Sequence, residues 1–233
     1  MPKRVAVVGS GPGGYVAAVR AAQLGAEVTL VERDRIGGVC LNWGCIPTKT
    51  LKTSAEHFVA ASEASTYGIH FQGEPVVDME KVISRKERVV ADQANGVSRF
   101  VSKHGVQFVW GAAKMLGPGR LEIDDGQQPA WVLEADSVIL ATGTHEAEFP
   151  NVPFDGEYVL SSSQALDLTS LPESLIIVGG GVVGCEFATL FNGLGVRVTL
   201  VEAMERVLPI SGVDGDCSKI LLRELRKRKV AVK

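Results

Sequence analysis

The beginning of the chain alternates apolar runs with a helix-like stretch. Residues 5–8 form a continuous apolar run, which is typical of a strand buried on both faces. Residues 15–24 are alanine-rich and helical in character, and Gly25 ends them. A second apolar run comes next at residues 28–31 and is closed by Glu32. This order predicts a strand–helix–strand unit, the building block of an α/β protein with a parallel sheet.

A second copy of this unit lies near the end of the chain, at a constant offset from the first. The glycines of the turn recur, the leucine–glycine pair that ends the helix recurs, and the second apolar run again ends in a glutamate. Two copies of one unit predict two sites of the same kind. The matching residues are Gly9, Gly11, Gly14, Leu24, Gly25 and Glu32 in the first copy, and Gly179, Gly181, Gly184, Leu194, Gly195 and Glu202 in the second.

Further elements are predicted outside the two copies. Apolar side chains at helical spacing with charges between them indicate amphipathic helices that pack on the domain. Short apolar runs bounded by turn residues indicate strands. The predicted helices are 51–64, 78–103 and 214–228, the predicted strands are 106–110, 120–123, 131–133, 137–140 and 230–232, and the best linker candidate is 145–157.

These elements predict an α/β fold with two Rossmann-like dinucleotide-binding units. The first unit is expected to contain a parallel sheet and a small β-meander. The second is expected to be a truncated unit of the same type. The expected domains are residues 1–147 and residues 148–233.

Composition limits the classes of function. Of the 233 residues, 45% are hydrophobic and 22% are charged, which is ordinary for a globular protein with a real core. The net charge of −3 gives no basic footprint, so a nucleic-acid partner is not expected. No apolar run is long enough to span a membrane, and residues 1–8 lead into a strand instead of a signal peptide. We expect a cytoplasmic location, or the mitochondrial matrix if a transit peptide has been removed, and no membrane partner.

The turn after each first strand has the spacing GxGxxG. The first glycine permits a tight turn, the second lets the backbone approach a pyrophosphate, and the third lets helix and strand pack closely. The helix N-terminus presents N–H groups to the phosphates. The glutamate that closes each second strand, Glu32 or Glu202, can accept hydrogen bonds from ribose hydroxyls. These features indicate two dinucleotide sites, and electron transfer between the two dinucleotides is the simplest reason to have both.

Cys40 and Cys45 lie five positions apart, directly after the first unit. Zinc sites place cysteines closer together and need a second pair, whereas Cys185 and Cys217 stand alone. A structural disulfide closing so short a loop would add little stability and would suit a secreted protein. A pair that opens and closes during turnover fits better, and a helix beginning at this segment would favour its thiolate. We expect idle thiols at the two single cysteines, and no histidine lies in a setting that marks a catalytic base.

The cysteine stretch and its surroundings resemble the flavin-dependent pyridine nucleotide–disulfide oxidoreductases. The resemblance rests on Leu41-Asn42 between the cysteines, on Ile46-Pro47-Thr48-Lys49 after them and on both glycine turns, and it covers residues 4–233. Within the family it is closest to the branch that oxidises dihydrolipoyl groups. It implies FAD at the first unit, NAD at the second, and the lipoyl group of a 2-oxo acid dehydrogenase complex or a related lipoyl protein as partner. It also implies a homodimer for the full-length parent.

The resemblance implies a role for each matching residue. Cys40 would exchange with the substrate, and Cys45 would pass electrons to the flavin. Lys49 would lie near the flavin ring and could pair with Glu186, which would lie near the nicotinamide. The residues implied for FAD are Gly9, Gly11, Gly14, Glu32, Arg33, Gly38, Val39, Cys40, Lys49, Ala113, Thr142, Gly143 and Thr144, and those implied for NAD are Gly179, Gly180, Gly181, Val182, Val183, Gly184 and Glu202.

The nicotinamide dinucleotide is expected to be NAD. A carboxylate at the ribose position, here Glu202, repels the 2′-phosphate of NADP, whose sites usually place an arginine nearby instead. Arg206 is the only cation close to it in the sequence, and we interpret it as a surface residue.

The chain also departs from the family pattern. Family members are longer, and their dimerisation domain supplies a His–Glu base, so the chain is expected to be an N-terminal portion that is weakly active or inactive alone. Trp43 stands where small aliphatic residues are common, and Thr144-His145 stands where Ser-Arg is usual. Two alternatives stay open. One is another disulfide reductase of the family, acting on glutathione, a related disulfide or mercuric ion; the other is a nucleotide-binding module without turnover.

Overall fold

The computed structural model describes residues 1–233 and divides them into two compact units. The first unit contains Met1–Pro47 and Arg88–Phe154, and the second contains Thr48–Glu87 and Asp155–Lys233. The later boundary falls close to the linker that the sequence predicts. None of the helices combines the length and the hydropathy that a membrane crossing requires.

The first unit contains a parallel sheet of four strands and an antiparallel meander of three. In space the sheet runs β3-β2-β1-β7 and the meander β4-β5-β6, where the strands are β1 (Arg4–Val8), β2 (Glu27–Glu32), β3 (Gln107–Trp110), β4 (Ala112–Gly117), β5 (Arg120–Asp124), β6 (Trp131–Glu134) and β7 (Ser137–Leu140). Its helices are α1 (Pro12–Gln23) and α2 (Gly38–Asn42), with the start of α3 (Cys45–Ser62) and the end of α4 (Met79–Lys103).

Residues 5–8 of strand β1 are all apolar because both faces of its sheet are covered. Val5 and Val7 belong to a core that α1 covers. Ala6 and Val8 point to the opposite face and belong to a core that contains residues of β5. Successive side chains of a strand alternate between faces, so two covered faces require a continuous apolar run. The run at residues 5–8 is therefore confirmed as a doubly buried strand.

The meander includes a strand that was not predicted from the sequence. Strand β4 has the sequence AAKMLG, without a β-branched or aromatic residue, so its composition does not indicate a strand. Pairing with β5 defines it, because Ala113 lies opposite Ile123 and Met115 opposite Leu121. The predicted strands around it are confirmed to within three residues at their ends.

The second unit repeats the strand–helix–strand arrangement. Its three strands are parallel in the spatial order β10-β9-β8, and its elements after residue 154 are α5 (Ser162–Ala165), β8 (Ser174–Val178), α6 (Val182–Gly193), β9 (Arg197–Val201), α7 (Gly215–Lys227) and β10 (Ala231–Val232). It also contains most of α3, the first part of α4 and a 3-10 turn at Ala64–Tyr67. The short helix α5 was not predicted, whereas the helix at 214–228 is confirmed.

The core of the second unit includes side chains from the parts of α3 and α4 that lie in it. Leu51 and Ala55 of α3, and Met79 and Ile83 of α4, are buried in the same cluster as Phe191 of α6. This burial is the reason that residues 48–87 group with the second unit. The expected domains of 1–147 and 148–233 differ in this point, because they assumed that each domain is one continuous stretch.

Lys86 of α4 is a buried cation within this second unit. Its ammonium group donates to the carbonyl oxygen of Leu166 at 3.2 Å and forms an ion pair with the carboxylate of Asp167. A buried charge requires such partners because leaving it unpaired costs several kcal/mol. The pair ties α4 to the residues directly after α5.

The two glycine turns have the same backbone geometry. Gly9 and Gly179 have φ angles of +97° and +104°, in the left-handed region that favours glycine. The N–H of Gly9 donates to the carbonyl of Val31, and that of Gly179 donates to the carbonyl of Val201, both at 2.8 Å. These matching bonds confirm the predicted repeat and the α/β fold with two Rossmann-like units.

The third glycine of each turn has no room for a side chain. A Cβ atom on Gly14 would lie far inside contact distance of the Gly9 carbonyl oxygen, and one on Gly184 would meet the Gly179 carbonyl in the same way. The helix therefore starts directly on the turn, as this spacing predicts.

We expect Gly14→Ala and Gly184→Ala each to lower the thermal midpoint of the chain. The added methyl group must displace a backbone carbonyl, which costs about 1–3 kcal/mol. Gly96→Ala is the matched control, because Gly96 lies inside α4 with open space at its Cβ. That change should instead stabilise by about 0.5–1 kcal/mol. Thermal melts followed by circular dichroism measure all three, and an unchanged midpoint for Gly14→Ala and Gly184→Ala would contradict the packing described.

Candidate dinucleotide sites and cysteine pair

The first glycine turn and the segment before the cysteines are in close backbone contact. Gly11 is the N-cap residue of α1, with Pro12 at the first helical position. A Cβ on Gly38 would lie 2.8 Å from the Cα of Gly11, and the N–H of Gly37 donates to the Ser10 carbonyl at 3.0 Å. A Cβ on Gly11 itself would meet only that backbone, at 3.9 Å, so open space remains beside the turn. That space, at a helix N-terminus, suits a pyrophosphate.

Glu32 is fixed at the end of β2 by three hydrogen bonds. One carboxylate oxygen, Oε2, accepts from the backbone N–H and from the hydroxyl of Ser10, both at 2.8 Å. The other, Oε1, accepts from the N–H of Asp34 at 3.0 Å. The side chain is buried, and its carboxylate is held next to the glycine turn. Ser10 was not among the predicted site residues. The sequence does show a hydroxyl residue at the first variable position of the GxGxxG motif, and that could have indicated it.

Glu202 has the equivalent position in the second unit. Its Oε2 accepts from the N–H of Gly180 at 2.5 Å, and its Oε1 accepts from the N–H of Met204 at 2.8 Å. Gly180 occupies the position of Ser10, so the hydroxyl bond of the first unit has no counterpart. Both units therefore orient an acidic side chain toward the glycine turn in the same way, which is the arrangement that binds a ribose.

Arg206 is less exposed than the surface residue expected from the sequence. It is half-buried, and its guanidinium donates to the carbonyl oxygens of Val213 at 3.0 Å and Ile210 at 3.3 Å. The cause is the loop after β9, whose carbonyl groups surround the side chain. These bonds stabilise the loop and direct the Nη2 group of Arg206 toward its carbonyls.

The two cysteines of the pair belong to consecutive helices of the first unit. Cys40 lies in α2, and Cys45 is the first residue of α3, which confirms that this segment opens a helix. The chain between them folds back, because a Cβ on Gly44 would lie 3.2 Å from the Cα of Cys40 and 3.0 Å from the carbonyl oxygen of Val39. Cys40 is half-buried and Cys45 is exposed, and the redox pairing stays a prediction.

Lys49 and Glu186 form the ion pair that the family resemblance implies. Both lie in the second unit, on α3 and α6, and the Lys49 ammonium contacts both carboxylate oxygens, at 2.6 and 2.7 Å. The side chains are 54% and 32% exposed, so water screens the pair and its contribution to stability is small.

Other expected FAD residues lie in the first unit. Thr142, Gly143 and Thr144 come directly after β7, and Ala141 before them contacts the first glycine turn, because a Cβ on Gly9 would meet its carbonyl group. Ala113 lies in β4, while Arg33 and Val39 are exposed.

In the second unit, Val182 and Val183 are the first two residues of α6 and are about half exposed. Open parallel sheets bind their ligands at such turns, outside the carboxyl ends of the strands.

Two contacts next to the cysteine pair involve side chains to which the sequence assigned no role. The guanidinium carbon of Arg35 lies 5.3 Å from the ring centroid of Trp43, within the range of a cation–π contact. The amide group of Asn42 donates to the carbonyls of Ile36 and Gly38 at 3.0 and 2.9 Å. The contact of Arg35 with Trp43 joins the residues on either side of α2, and the bond from Asn42 to Ile36 joins the end of α2 to the residue before its N-cap.

The single cysteines differ from each other. Cys185 is buried in α6, and its thiol donates to the Gly180 carbonyl at 3.3 Å. Burial has the largest effect and raises the pKa of the Cys185 thiol; a backbone hydrogen bond from Leu208 opposes it, and the charge of Glu202 raises the pKa by a smaller amount. Cys217 is exposed on α7.

Comparison with known proteins identifies a family. The family model described as pyridine nucleotide-disulphide oxidoreductase matches residues 3–233. The dihydrolipoyl dehydrogenase of Bacillus subtilis is 42% identical over 229 residues, covering 98% of the chain and 49% of the relative. That of Halobacterium salinarum is 42% identical over 212 residues, covering 90% and 44%. The chain thus spans about half the length of the curated relatives it matches, and the likeness to this branch of the family that the sequence indicated is confirmed.

Solved structures support the same fold. LpdA from Mycobacterium tuberculosis has a TM-score of 0.86 at 30% identity, over 99% of this chain and 51% of that one. The HOCl-induced flavoprotein disulfide reductase RclA from Escherichia coli has a TM-score of 0.79 at 28% identity, over 99% and 48%. Both structures extend the α/β agreement to almost every residue of the chain.

We expect the thiols of Cys45, Cys185 and Cys217 to differ in reactivity in the native protein once it has been reduced and the reductant removed. At pH 7.5, iodoacetamide should label exposed Cys45 and Cys217 quickly and Cys185 at least ten times more slowly. The raised pKa leaves less Cys185 thiolate at this pH, and its burial blocks access. Peptide mass spectrometry over a time course measures the rates, and labelling in urea provides the control. Equal rates for Cys185 and Cys217 in the native chain would contradict the burial described.

Proposed function

Because the chain belongs to the pyridine nucleotide-disulphide oxidoreductase family, we propose that it is the FAD-, NAD- and disulfide-bearing part of a dihydrolipoyl dehydrogenase. The complete enzyme would convert dihydrolipoamide and NAD⁺ to lipoamide and NADH. The proposal rests on one observation: the chain combines two glycine turns of matching geometry with a cysteine pair, of which Cys40 lies in α2 and Cys45 begins α3. Two relatives of that name at 42% identity support this reaction over others in the family.

FAD would be held by the first unit. The open space at Gly11 would receive the pyrophosphate, and the N–H groups at the start of α1 would bind it. Glu32 would accept hydrogen bonds from the ribose hydroxyls, since its carboxylate is already fixed next to the turn. Following the family resemblance, the flavin side of the site would be lined by Arg33, Gly38, Val39, Cys40, Lys49, Ala113, Thr142, Gly143 and Thr144.

NAD would be held by the second unit. Gly179, Gly181 and Gly184 shape a turn of the same form as the first, and Val182 and Val183 begin the helix behind it. Glu202 would bind the adenosine ribose and repel a 2′-phosphate. The hydrogen bonds of Arg206 to its own loop support NAD over NADP, because they direct its Nη2 group toward loop carbonyls.

The cysteine pair would oxidise the dihydrolipoyl group by thiol–disulfide exchange. A substrate thiolate attacks the sulfur of Cys40, the disulfide bond breaks, and Cys45 leaves as a thiolate. The second substrate thiol then attacks the mixed disulfide, so that the lipoyl ring closes and Cys40 is released as a thiol. The substrate loses two electrons and two protons, and the pair gains the electrons. When bound, FAD and NAD supply the chemistry that carries these electrons away as hydride.

Lys49 and Glu186 would position charge beside the reaction. The ammonium group is held by both carboxylate oxygens, so it is fixed in direction and its charge is balanced. In the family, Lys49 would lie near the flavin and Glu186 near the nicotinamide. An oriented ion pair can support developing charge without reorganising when electrons move.

The remaining properties concern the complete enzyme. Its partner would be the lipoyl group of a 2-oxo acid dehydrogenase complex or a related lipoyl protein, and it would act as a homodimer in the cytoplasm or the mitochondrial matrix. We infer that the 233-residue chain alone turns over lipoamide weakly or not at all. The base that deprotonates the incoming dithiol would come from the additional length of the relatives.

A second candidate is a disulfide reductase that acts on another substrate, such as glutathione or mercuric ion. The likeness to RclA, a flavoprotein disulfide reductase, favours keeping it. A reductase of that type would consume reduced nicotinamide instead of producing it. A marked preference for NADPH would support this candidate, and the carboxylate of Glu202 argues against it.

We expect the purified chain to take up FAD and to show a new long-wavelength absorbance band when a dithiol is added. The band would arise from the Cys45 thiolate in contact with the flavin. Cys45→Ser should abolish it, and Cys217→Ser should leave it unchanged because Cys217 lies on α7 of the second unit. Flavin that binds without any band in the intact chain would support the nucleotide-binding module, and a band that survives Cys45→Ser would contradict the assigned contact.

We expect the chain to bind NADH more tightly than NADPH. Glu202→Gln removes the negative charge, so the affinity ratio should narrow by about fivefold, which corresponds to ~1 kcal/mol for two charges at a solvated site. Glu205→Gln is the matched control, since Glu205 is exposed in the same loop. Fluorescence titrations of the three proteins with both nucleotides measure the six affinities. If NADPH binds the unmodified chain more tightly, the assigned reaction is wrong and the second candidate gains support.

A further inference from the structure

Trp43 is a departure from the family pattern that the proposed function leaves without a role. It lies between Cys40 and Cys45 in the sequence, at the C-cap of α2. Its backbone N–H donates to the Val39 carbonyl at 2.8 Å, and its half-buried ring faces the guanidinium of Arg35. A large ring at this position must be accommodated, and the structure accommodates it by stacking on a cation.

Arg35 and Trp43 lie beyond opposite ends of α2, the helix that carries Cys40. Arg35 precedes the N-cap of α2, and Trp43 comes directly after its last residue. Their contact of 5.3 Å therefore closes the segment 35–43 on itself. The Asn42 amide acts in the same sense, because it donates back to the carbonyls of Ile36 and Gly38. A five-residue helix is too short to be stable alone, so these contacts matter for its position.

The fold-back continues to the second cysteine. Gly44 packs so closely on α2 that a Cβ there would lie 3.2 Å from the Cα of Cys40. The next residue is Cys45, so the chain between the two cysteines is bent back onto α2. Closing a disulfide requires this bend, and contacts that hold the bend remove part of the conformational entropy that closure costs.

We propose that the stack of Arg35 on Trp43 is a positioning element that holds the cysteine pair ready to close and thereby lowers its reduction potential. The inference rests on the proposed redox role of the pair. Neither residue is assigned a contact with the reacting sulfurs; both act through the backbone of α2 and Gly44. A cation–π contact at a partly exposed site contributes about a two- to fivefold change in an equilibrium constant.

The test measures the disulfide equilibrium of the pair in the full 233-residue chain. The chain is equilibrated with mixtures of glutathione and glutathione disulfide. One glutathione disulfide is reduced to two glutathione thiols as the two cysteine S–H bonds are replaced by one S–S bond. Remaining thiols are alkylated, and the peptide that contains residues 40–45 is quantified by mass spectrometry.

Arg35→Gln and Trp43→Leu should each lower the equilibrium constant for closure by about two- to fivefold. The equilibrium constant of the double variant should be no lower than that of the more strongly affected single variant, because both changes remove the same contact. Arg35→Lys and Trp43→Phe should recover part of the loss, since each keeps a cation or a ring. Arg99→Gln on α4 and Trp131→Leu in β6, both exposed in the first unit, are the matched controls and should have no effect.

The outcomes distinguish this inference from the proposed function. If the unmodified chain closes no disulfide in any glutathione mixture, the redox role fails and the inference fails with it. If it closes, but Arg35→Gln and Trp43→Leu match their controls or add independently, only the inference is overturned. Thermal midpoints within about two degrees of the parent would exclude general unfolding as the cause of a changed equilibrium.

Discussion

The contact between the first and third glycines of each turn is the constraint on which the rest of the structure depends. With no Cβ on Gly14 or Gly184, the helix begins against the carbonyl of the turn that precedes it. That closeness brings the helix N-terminus to the carboxyl end of the sheet and sets the turn beside the glutamate of the second strand. The bonds of Ser10 to Glu32 and of Gly180 to Glu202 result from it. The same contact appears twice, and each copy creates one place where a pyrophosphate and a ribose can bind.

The segment directly after the first copy places the redox chemistry. It leaves β2 and returns to the glycine turn, where Gly38 packs on Gly11, and only then forms the helix that carries Cys40. The redox pair is therefore held by the same backbone contact that forms the expected flavin site. Lys49, one turn further along α3 than Cys45, belongs to the second unit and pairs there with Glu186. Helix α3 thus carries both Cys45 and Lys49.

Much of the fold could be predicted because the glycine spacing and apolar runs are local signals of local structure. Two elements lack such a local signal and were not predicted. Strand β4 has no β-branched residue, and α5 is only four residues long and depends on the capping box at Ser161. The grouping of residues 48–87 could not be predicted, since it results from burial of Leu51 and Ile83 in a core formed by distant residues. In the site, the glutamates could be inferred from the spacing, whereas the pair of Lys49 with Glu186 came only from family resemblance. The contact of Arg35 with Trp43 had no sequence signal, because neither residue type indicates its partner.

The central claim is that a cysteine pair and a flavin in this chain form one electron path. The most direct measurement is an anaerobic reductive titration of the FAD-loaded chain with dithionite, followed by absorbance. We expect about four electrons per flavin, two for the pair and two for the cofactor, with the first two entering the pair. The Cys40→Ser and Cys45→Ser variants should each take up only about two. An uptake of two electrons by the unmodified, fully oxidised chain would contradict the claim.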